Sequence, residues 1–315
     1  MCAVTNDEVR KSPLVSVGIP TYNRPAGLRR TLECITGQTY RNLEIIISDN
    51  CSFGPETEAV VRDFIAKDRR IQYYRREENK GSLNNFKFVL ENATGEYFMW
   101  AADDDEWAPF FIEKIMRMFS SLNESYIAIG LEAQYVDENL KKMNFFAEGR
   151  AFYGFESRSV TTRLLHMLKF KYGNLVYSIF RMSLLKKIKK MVFFENEIPF
   201  MLQVMQYGNW KVIPEVGLYK KTNKATYIQA KWEMCGGWLP KDLSFWHLSF
   251  WLFPIRIWYS LRYHCVALLN IRYSISTLDI KIYDKIILYI FAFWVIITHF
   301  LSLSIGFKKS NYLSK

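Results

Sequence analysis

Four short apolar runs, each ending in polar residues, constrain this chain more than any other feature. They are "LVSVGIP" (14–20), "LEIIIS" (43–48), "IQYYR" (71–75) and "YFMWAA" (97–102). Their length and their β-branched and aromatic content predict strands, and near-continuous apolar runs belong to a sheet covered on both faces. Amphipathic stretches separate them. The first, 25–36, has Pro25 at its start and Leu28, Leu32 and Ile35 on one face, the pattern of a helix. The second spans about 55–67. The third, about 82–92, precedes Gly95, which is expected to take the left-handed conformation that closes a helix. Strands alternating with helices through short connections predict an α/β fold with a mostly parallel sheet. Such sheets bind ligands beyond the carboxyl ends of their strands. The polar ends "PTYN" (20–23), "SDNCS" (48–52) and "DDDEW" (103–107) are therefore expected on one edge.

Beyond residue 130 the pattern loosens. Helices are expected near 157–170 and 195–207, with a strand over 174–181 between them. From 243 the composition turns strongly apolar and aromatic, with Pro254 breaking the run and only Arg256 and Arg262 charged before 271. This predicts two helices in the plane of a membrane interface, with the arginines reaching outward. Residues 286–307 carry no Asp, Glu, Lys or Arg and lie between Lys285 and Lys308. As a helix they would reach roughly 33 Å, enough for a hydrocarbon core of about 30 Å. The alternative is a buried core helix. The predicted division is therefore an α/β domain over 1–235 and a C-terminal membrane-associating helical region over 236–315, with 286–307 the spanning segment.

The formal net charge of +11 raises the question of nucleic acid. Its distribution argues against that partner. Lys241 to Lys315 holds nine Lys/Arg against three Asp in the most apolar quarter of the chain, which suits an anionic membrane surface. Five scattered cysteines without a CxxC pair predict reduced thiols rather than a zinc site or disulfides. The N-terminus lacks a charged-then-apolar signal pattern, so the α/β domain is expected on the cytoplasmic face.

The chemistry-bearing residues gather at the strand ends. Adjacent Asp103, Asp104 and Asp105 offer hard oxygen ligands suited to Mg²⁺ or Mn²⁺, which keep waters and take further ligands from a diphosphate. In isolation they would read as a solvated acidic loop in which Asp105 caps a helix starting near Pro109; their place after an apolar strand, beside two other polar strand ends, shifts the balance toward a site. Asp49 either accepts a hydrogen bond from a base or ribose or closes an Asx-turn. Tyr22 either packs on a base or sits in a proline-bounded loop. Lys80 and Gly81 precede a helix N-terminus, a placement that suits an anion. No GxGxxG follows the first strand and no GxxxxGK[ST] occurs, which removes the main support for dinucleotide oxidoreductase and P-loop readings.

"VSVGIPTYNRPAGLRRTLECITGQTYRNLEIIISDNCS", then "ENKG", then "GEYFMWAADDDEWAP" strongly resembles the family 2 glycosyltransferases of the GT-A fold. The resemblance is dense over roughly 14–120 and looser to about 222. It implies a hexosyltransferase-type enzyme using a nucleotide-diphospho-sugar, a divalent metal (Mn²⁺ or Mg²⁺) held by a DXD-type motif, and inversion at the anomeric carbon. Carried over by position, Pro20, Tyr22 and Asp49 fall in the nucleotide pocket; Lys80 is added to them for its place before a helix N-terminus. Ala102 stands where the family often has its first Asp. Asp104 then becomes the first metal ligand with Asp105 beside it, and Asp103 lies nearer the ribose or diphosphate. The general base that inversion requires maps to "FFENEIPFMLQV" (193–204), which offers Glu197 or Glu195; helix N-terminal carboxylates are the alternative. Arg181, in "YSIFRMSLL", is placed by the same resemblance near acceptor or diphosphate, with a surface role equally open. The implied protein is membrane-associated and glycosylates a glycan or lipid-linked acceptor in surface polysaccharide assembly. Alternatives are a polyprenyl-phosphate glycosyltransferase and a catalytically inactive transferase-like assembly protein, for which Ala102 is the support.

Overall fold

The computed structural model describes residues 12–136, 152–170, 173–188 and 198–221, together with 275–276, 278 and 280–304 nearer the C-terminus. The chain divides into two compact units, Met1–Thr222 and Asn223–Lys315.

The first unit is built on one eight-stranded sheet of order β3-β2-β1-β4-β7-β6-β8-β5. Strands β1 (Val15–Thr21), β2 (Leu43–Asp49), β3 (Ile71–Arg75) and β4 (Tyr97–Trp100) are the four apolar runs of the sequence. All four are parallel, with Thr21 opposite Asp49 and Asp49 opposite Arg75. Every residue of β1, β2 and β4 is buried, whereas β3 at the edge is largely half-exposed or exposed. Continuous apolar runs are what a strand needs when both faces are covered.

Helices α1 (Pro25–Thr36), α2 (Glu56–Ile65) and α3 (Ser82–Glu91) connect these strands. Pro25 opens α1, Leu28, Leu32 and Ile35 are fully buried, and the Gly37 N–H closes the helix on Glu33 O. Burying three such side chains contributes on the order of 5 kcal/mol. Helix α3 ends at Asn92, and Gly95 is not left-handed as expected. Its reason is proximity: a Cβ there would lie 2.6 Å from Ser16 Oγ and 2.7 Å from Leu14 O.

The other half of the sheet is mixed, so the mostly parallel expectation holds for the first four strands only. β5 (Asp105–Trp107) is antiparallel to β8 (Asn209–Lys221), which is parallel to β6 (Tyr126–Val136). β7 (Ile179–Arg181) runs antiparallel between β4 and β6. The strand expected over 174–181 is thus mostly a 3₁₀ turn, Gly173–Tyr177. Only residues from 179 reach the ladder, because Ser178 N–H turns back to Leu175 O. A short apolar run reads the same for either structure. Helices α4 (Phe111–Ser121), α5 (Val160–Phe170), the single turn α6 (Met182–Leu185) and α7 (Ile198–Met205) complete the described part of this unit.

In the second unit, α8 (Ile282–Ser304) occupies most of the expected spanning segment. Among the described residues no helix is long and apolar enough to cross a membrane. Side chains from 294 onward, residues 305–307 and the stretch 243–273 lie outside the described residues, as does the expected domain boundary at 235/236. Leu288 and Ala292 of α8 are buried, while Ile282, Ile286, Ile290 and Phe293 are exposed along one stripe.

Candidate active site

The carboxyl ends of β1 and β2 and the loop after β4 form one edge, and the side chains there are tied by an unusual density of polar contacts. Asn85, buried on α3, donates to Thr21 O (3.2 Å) and Ser48 O (2.9 Å) and accepts from Ser48 Oγ. It thereby fixes the ends of β1 and β2 together. The loops that follow are latched as well. Asn23 N–H donates to Ser52 Oγ (2.8 Å), and Phe53 N–H donates to Asn23 Oδ1 (2.7 Å). Asn23 and Cys51 both take positive φ, +55° and +66°, a conformation that costs energy for residues other than glycine and clusters at functional sites.

Asp49, at the end of β2, is 1% exposed. It accepts from Ser52 N–H (2.8 Å) and from the Tyr73 hydroxyl (2.9 Å). Burial, and then the hydrogen bond to Asp49, push the Tyr73 phenol well above its ordinary pKa, so it stays a donor. The Asx-turn and a ligand-facing role are therefore compatible: the turn bond to Oδ1 and the tyrosine bond to Oδ2 leave further acceptor capacity on the carboxylate. Tyr22 and Phe53 form a tilted ring pair 6.1 Å apart, and Phe53 is 77% exposed. Pro20 is buried within β1, paired in register with Ser48.

On the third side, Asn50 donates to Asn79 Oδ1 (2.7 Å) and accepts from Lys80 N–H (3.1 Å). Gly81, at φ +82°, precedes α3 and donates its N–H to Asn79. The Lys80 ammonium is half-exposed and paired with Glu78 at 3.0 Å.

The acidic triplet divides in two. Asp103 is buried and accepts from Thr21 Oγ1 at 2.8 Å. Arg24 Nη1 forms an ion pair with Asp104 and lies 3.4 Å from Asp103 Oδ1. Burial pushes the Asp103 carboxyl up to about 6, with Thr21 and Arg24 pulling it back and the Asp104 charge pushing it further up. Asp105 belongs to β5, not to the loop, and is 2% exposed. It pairs with Lys220 of β8 at 2.6 Å. Burial pulls the Lys220 ammonium down, but Tyr177 and Asp105 outweigh it and hold the group charged. The structure therefore brings Asp103 and Asp104 onto one cation and sends Asp105 to another. The expected metal pair Asp104/Asp105 is not assembled, because strand pairing with β8 turns Asp105 to Lys220. The helix near Pro109 begins at Phe111, with Phe110 as its cap residue, so Asp105 does not cap it.

Helix α1 places this loop. A Cβ on Gly27 would lie 2.3 Å from Asp103 O, so only glycine lets α1 approach the loop this closely. Thr31 Oγ1 donates to Ala102 O (3.0 Å) and Asp105 O (3.1 Å), bracketing the two acids between them. Buried Gln38 donates to Ala108 O and accepts from Ile112 N–H, fixing the far end of the segment.

The donor chemistry fits Mg²⁺ or Mn²⁺: two adjacent carboxylates converge on one cationic group. Among the described residues no group of three or more His, Cys, Asp or Glu is placed to hold a metal ion. Water and a ligand's oxygens would have to supply the remaining positions, the usual arrangement for Mg²⁺ bound with a diphosphate.

Arg181 lies at the other end of β4. It pairs in register with Tyr97, the first residue of that strand. It donates to Tyr126 O and the Tyr97 hydroxyl, and its guanidinium lies over Phe119 at 4.8 Å. It is not brought to the acidic edge, because the antiparallel course of β7 carries it to the opposite end of the sheet. Glu195 and Glu197 lie outside the described residues. Arg24, Thr21, Tyr73, Asn85 and Phe53 were not singled out from the sequence. The signal for Arg24 is a cation three residues past β1 in a chain whose later strand end carries adjacent acids, two of which it meets.

A model of glycosyl transferase family 2 matches residues 16–188, more than half of the chain. The chain is 29% identical over 217 residues to the GalNAc(5)-diNAcBac-PP-undecaprenol beta-1,3-glucosyltransferase of Campylobacter jejuni, covering 69% of this chain and 62% of that protein. It is 32% identical over 130 residues to an uncharacterized glycosyltransferase of Rickettsia bellii, covering 41% of this chain and 18% of that protein. The chain thus spans less than two thirds of the length of these curated relatives. Among solved structures, S. aureus TarS 1-349 in complex with UDP-GlcNAc superimposes with a TM-score of 0.55 at 15% identity, covering 94% of this chain and 74% of that one. The mannosyltransferase PcManGT of Pyrobaculum calidifontis, in complex with GDP-Man and Mn²⁺, gives 0.53 at 15% identity, covering 94% and 86%. These likenesses establish the fold, and the matched family model establishes that the chain belongs to glycosyl transferase family 2.

Proposed function

We propose that this protein is a metal-dependent, inverting hexosyltransferase. It transfers a sugar from a nucleotide-diphospho-sugar to a hydroxyl of a lipid-linked glycan in surface polysaccharide assembly. The observation that carries the reading is the convergence of Asp103 and Asp104 on one cation, beside the Asp49 carboxylate and the Tyr22–Phe53 ring pair. Asp49, fixed by Ser52 and Tyr73, accepts a hydrogen bond from the base. Tyr22 and Phe53 cover the base face. Lys80, at the start of α3, offers positive charge to the diphosphate. Asp104, with Asp103, holds the divalent ion, whose chemistry when bound is to neutralise negative charge on the departing diphosphate.

The chain's other task is to generate the attacking alkoxide. Glu197 or Glu195 takes the proton of the acceptor hydroxyl on the face opposite the diphosphate, which inversion requires. The lipid-linked acceptor is supported by the undecaprenol-linked substrate in the Campylobacter jejuni relative's name. The exposed stripe Ile282, Ile286, Ile290 and Phe293 on α8, together with the apolar, basic tail, supports a membrane-associated protein.

Thermal unfolding against a panel of nucleotide-sugars, each with Mn²⁺ or with chelator, tests this. A ligand that binds only the folded state raises the midpoint. At least one nucleotide-sugar is expected to do so only when metal is present. No shift with any of them would refute the reading.

A further inference from the structure

Arg24 sits where a divalent ion would be needed. It precedes α1 directly, and its guanidinium reaches both Asp104 and Asp103. Those two carboxylates are its partners among the described residues. Its side chain is 55% exposed. A divalent ion held by Asp103 and Asp104 would compete with Nη1 for the same carboxylate oxygens. Guanidinium and metal also repel one another. Both cannot hold the same pair.

We propose that Arg24 is the counter-ion of the metal-free site, evicted by the divalent ion, and that the released guanidinium then binds the diphosphate of the nucleotide. This rests on the reading of the site as a nucleotide-sugar site and adds a residue and an order of events to it. Before metal arrives, Arg24 relieves the repulsion between Asp103 and Asp104. When metal arrives it loses both partners, which weakens metal binding in isolation. A diphosphate supplies it a new partner, and a guanidinium suits the paired oxygens of that group. Metal and nucleotide therefore bind with positive coupling, and that coupling passes through Arg24. By reciprocity the metal strengthens nucleotide binding by the same factor. No bond is made or broken in the exchange; one ion pair is replaced by another.

Free Mn²⁺ measured by electron paramagnetic resonance during titration of the full-length protein tests this without reference to turnover. Loss of one solvent-facing ion pair is a small effect. Mn²⁺ alone is therefore expected to bind Arg24→Gln about threefold more tightly than the wild type. Arg24→Lys, which keeps a cation there, stays near wild type. Adding UDP or GDP, whichever stabilises the wild type, is expected to tighten Mn²⁺ binding clearly in the wild type and by a much smaller factor in Arg24→Gln. Unchanged or weaker binding of Mn²⁺ alone to Arg24→Gln would overturn the proposal, as would undiminished coupling. The metal-alone arm needs no nucleotide. A wild type that binds Mn²⁺ but no nucleotide would instead refute the proposed function while leaving the counter-ion arm decisive.

Discussion

Replacing Asp103 by Asn should make the metal-free protein more stable at neutral pH while abolishing its activity. Burial raises the Asp103 carboxyl from 3.8 to about 6 in the folded state. The folded protein then binds a proton more readily than the unfolded chain between those values. Stability from this group falls as pH rises through that window, and the ionised carboxylate is a liability above pH 6. A shift of about two units corresponds to roughly 3 kcal/mol at most. Asparagine keeps an oxygen to accept the Thr21 hydroxyl but loses the attraction to Arg24, so a gain of about 1–3 kcal/mol is expected at pH 7.5. Urea unfolding in chelator at pH 4, 5, 6 and 7.5 measures it. The gain should shrink steadily toward pH 4, where the wild-type carboxyl is itself neutral. An Asp103→Asn protein less stable than wild type at pH 7.5, or a gain independent of pH, would refute the argument. An acid held at a cost to stability marks a site shaped for binding rather than for folding.

Four further substitutions test the same geometry. Gly27→Ala drives a Cβ to within 2.3 Å of Asp103 O, so α1 or the acidic loop must shift; a loss of about 1–3 kcal/mol and of metal binding is expected by denaturation and Mn²⁺ titration. Lys220→Met strands buried Asp105, which should cost about 3 kcal/mol or more, whereas Asp104→Asn, at a half-exposed group, should change stability by only about 0.5 kcal/mol yet remove metal binding. Phe53→Ala should leave the unfolding midpoint unchanged, since the ring is 77% exposed, and weaken nucleotide binding by calorimetry; unaltered affinity would remove Phe53 from the base site.

The first half of the fold was legible because β1, β2 and β4 are buried on both faces and so carry unbroken apolar runs, and because α1 shows its buried face at Leu28, Leu32 and Ile35. The same runs ended in the residues that now cluster at the carboxyl edge. β5 was not legible. Its three residues, Asp105–Trp107, include two carboxylates and look like loop. Their strand character comes from pairing with β8 across more than a hundred residues, where Lys220 and Lys221 neutralise Asp105 and Glu106. Without that distant partner in view, the sequence offers Asp105 as a metal ligand. The place of Arg181 is hidden for a related reason: a motif gives its position along the chain, while the antiparallel direction of β7 decides which end of the sheet it reaches. Gly95 was read as a helix terminator, yet its role is set by the backbone of β1 beside it.

Release of nucleoside diphosphate from a nucleotide-sugar in the presence of an acceptor lipid extract, compared between wild type and Asp104→Asn with Mn²⁺ or chelator, tests the central claim most directly. Sugar transfer that requires the metal and disappears in Asp104→Asn is predicted. Transfer that persists in chelator, or that survives the loss of the Asp104 carboxylate, would contradict it.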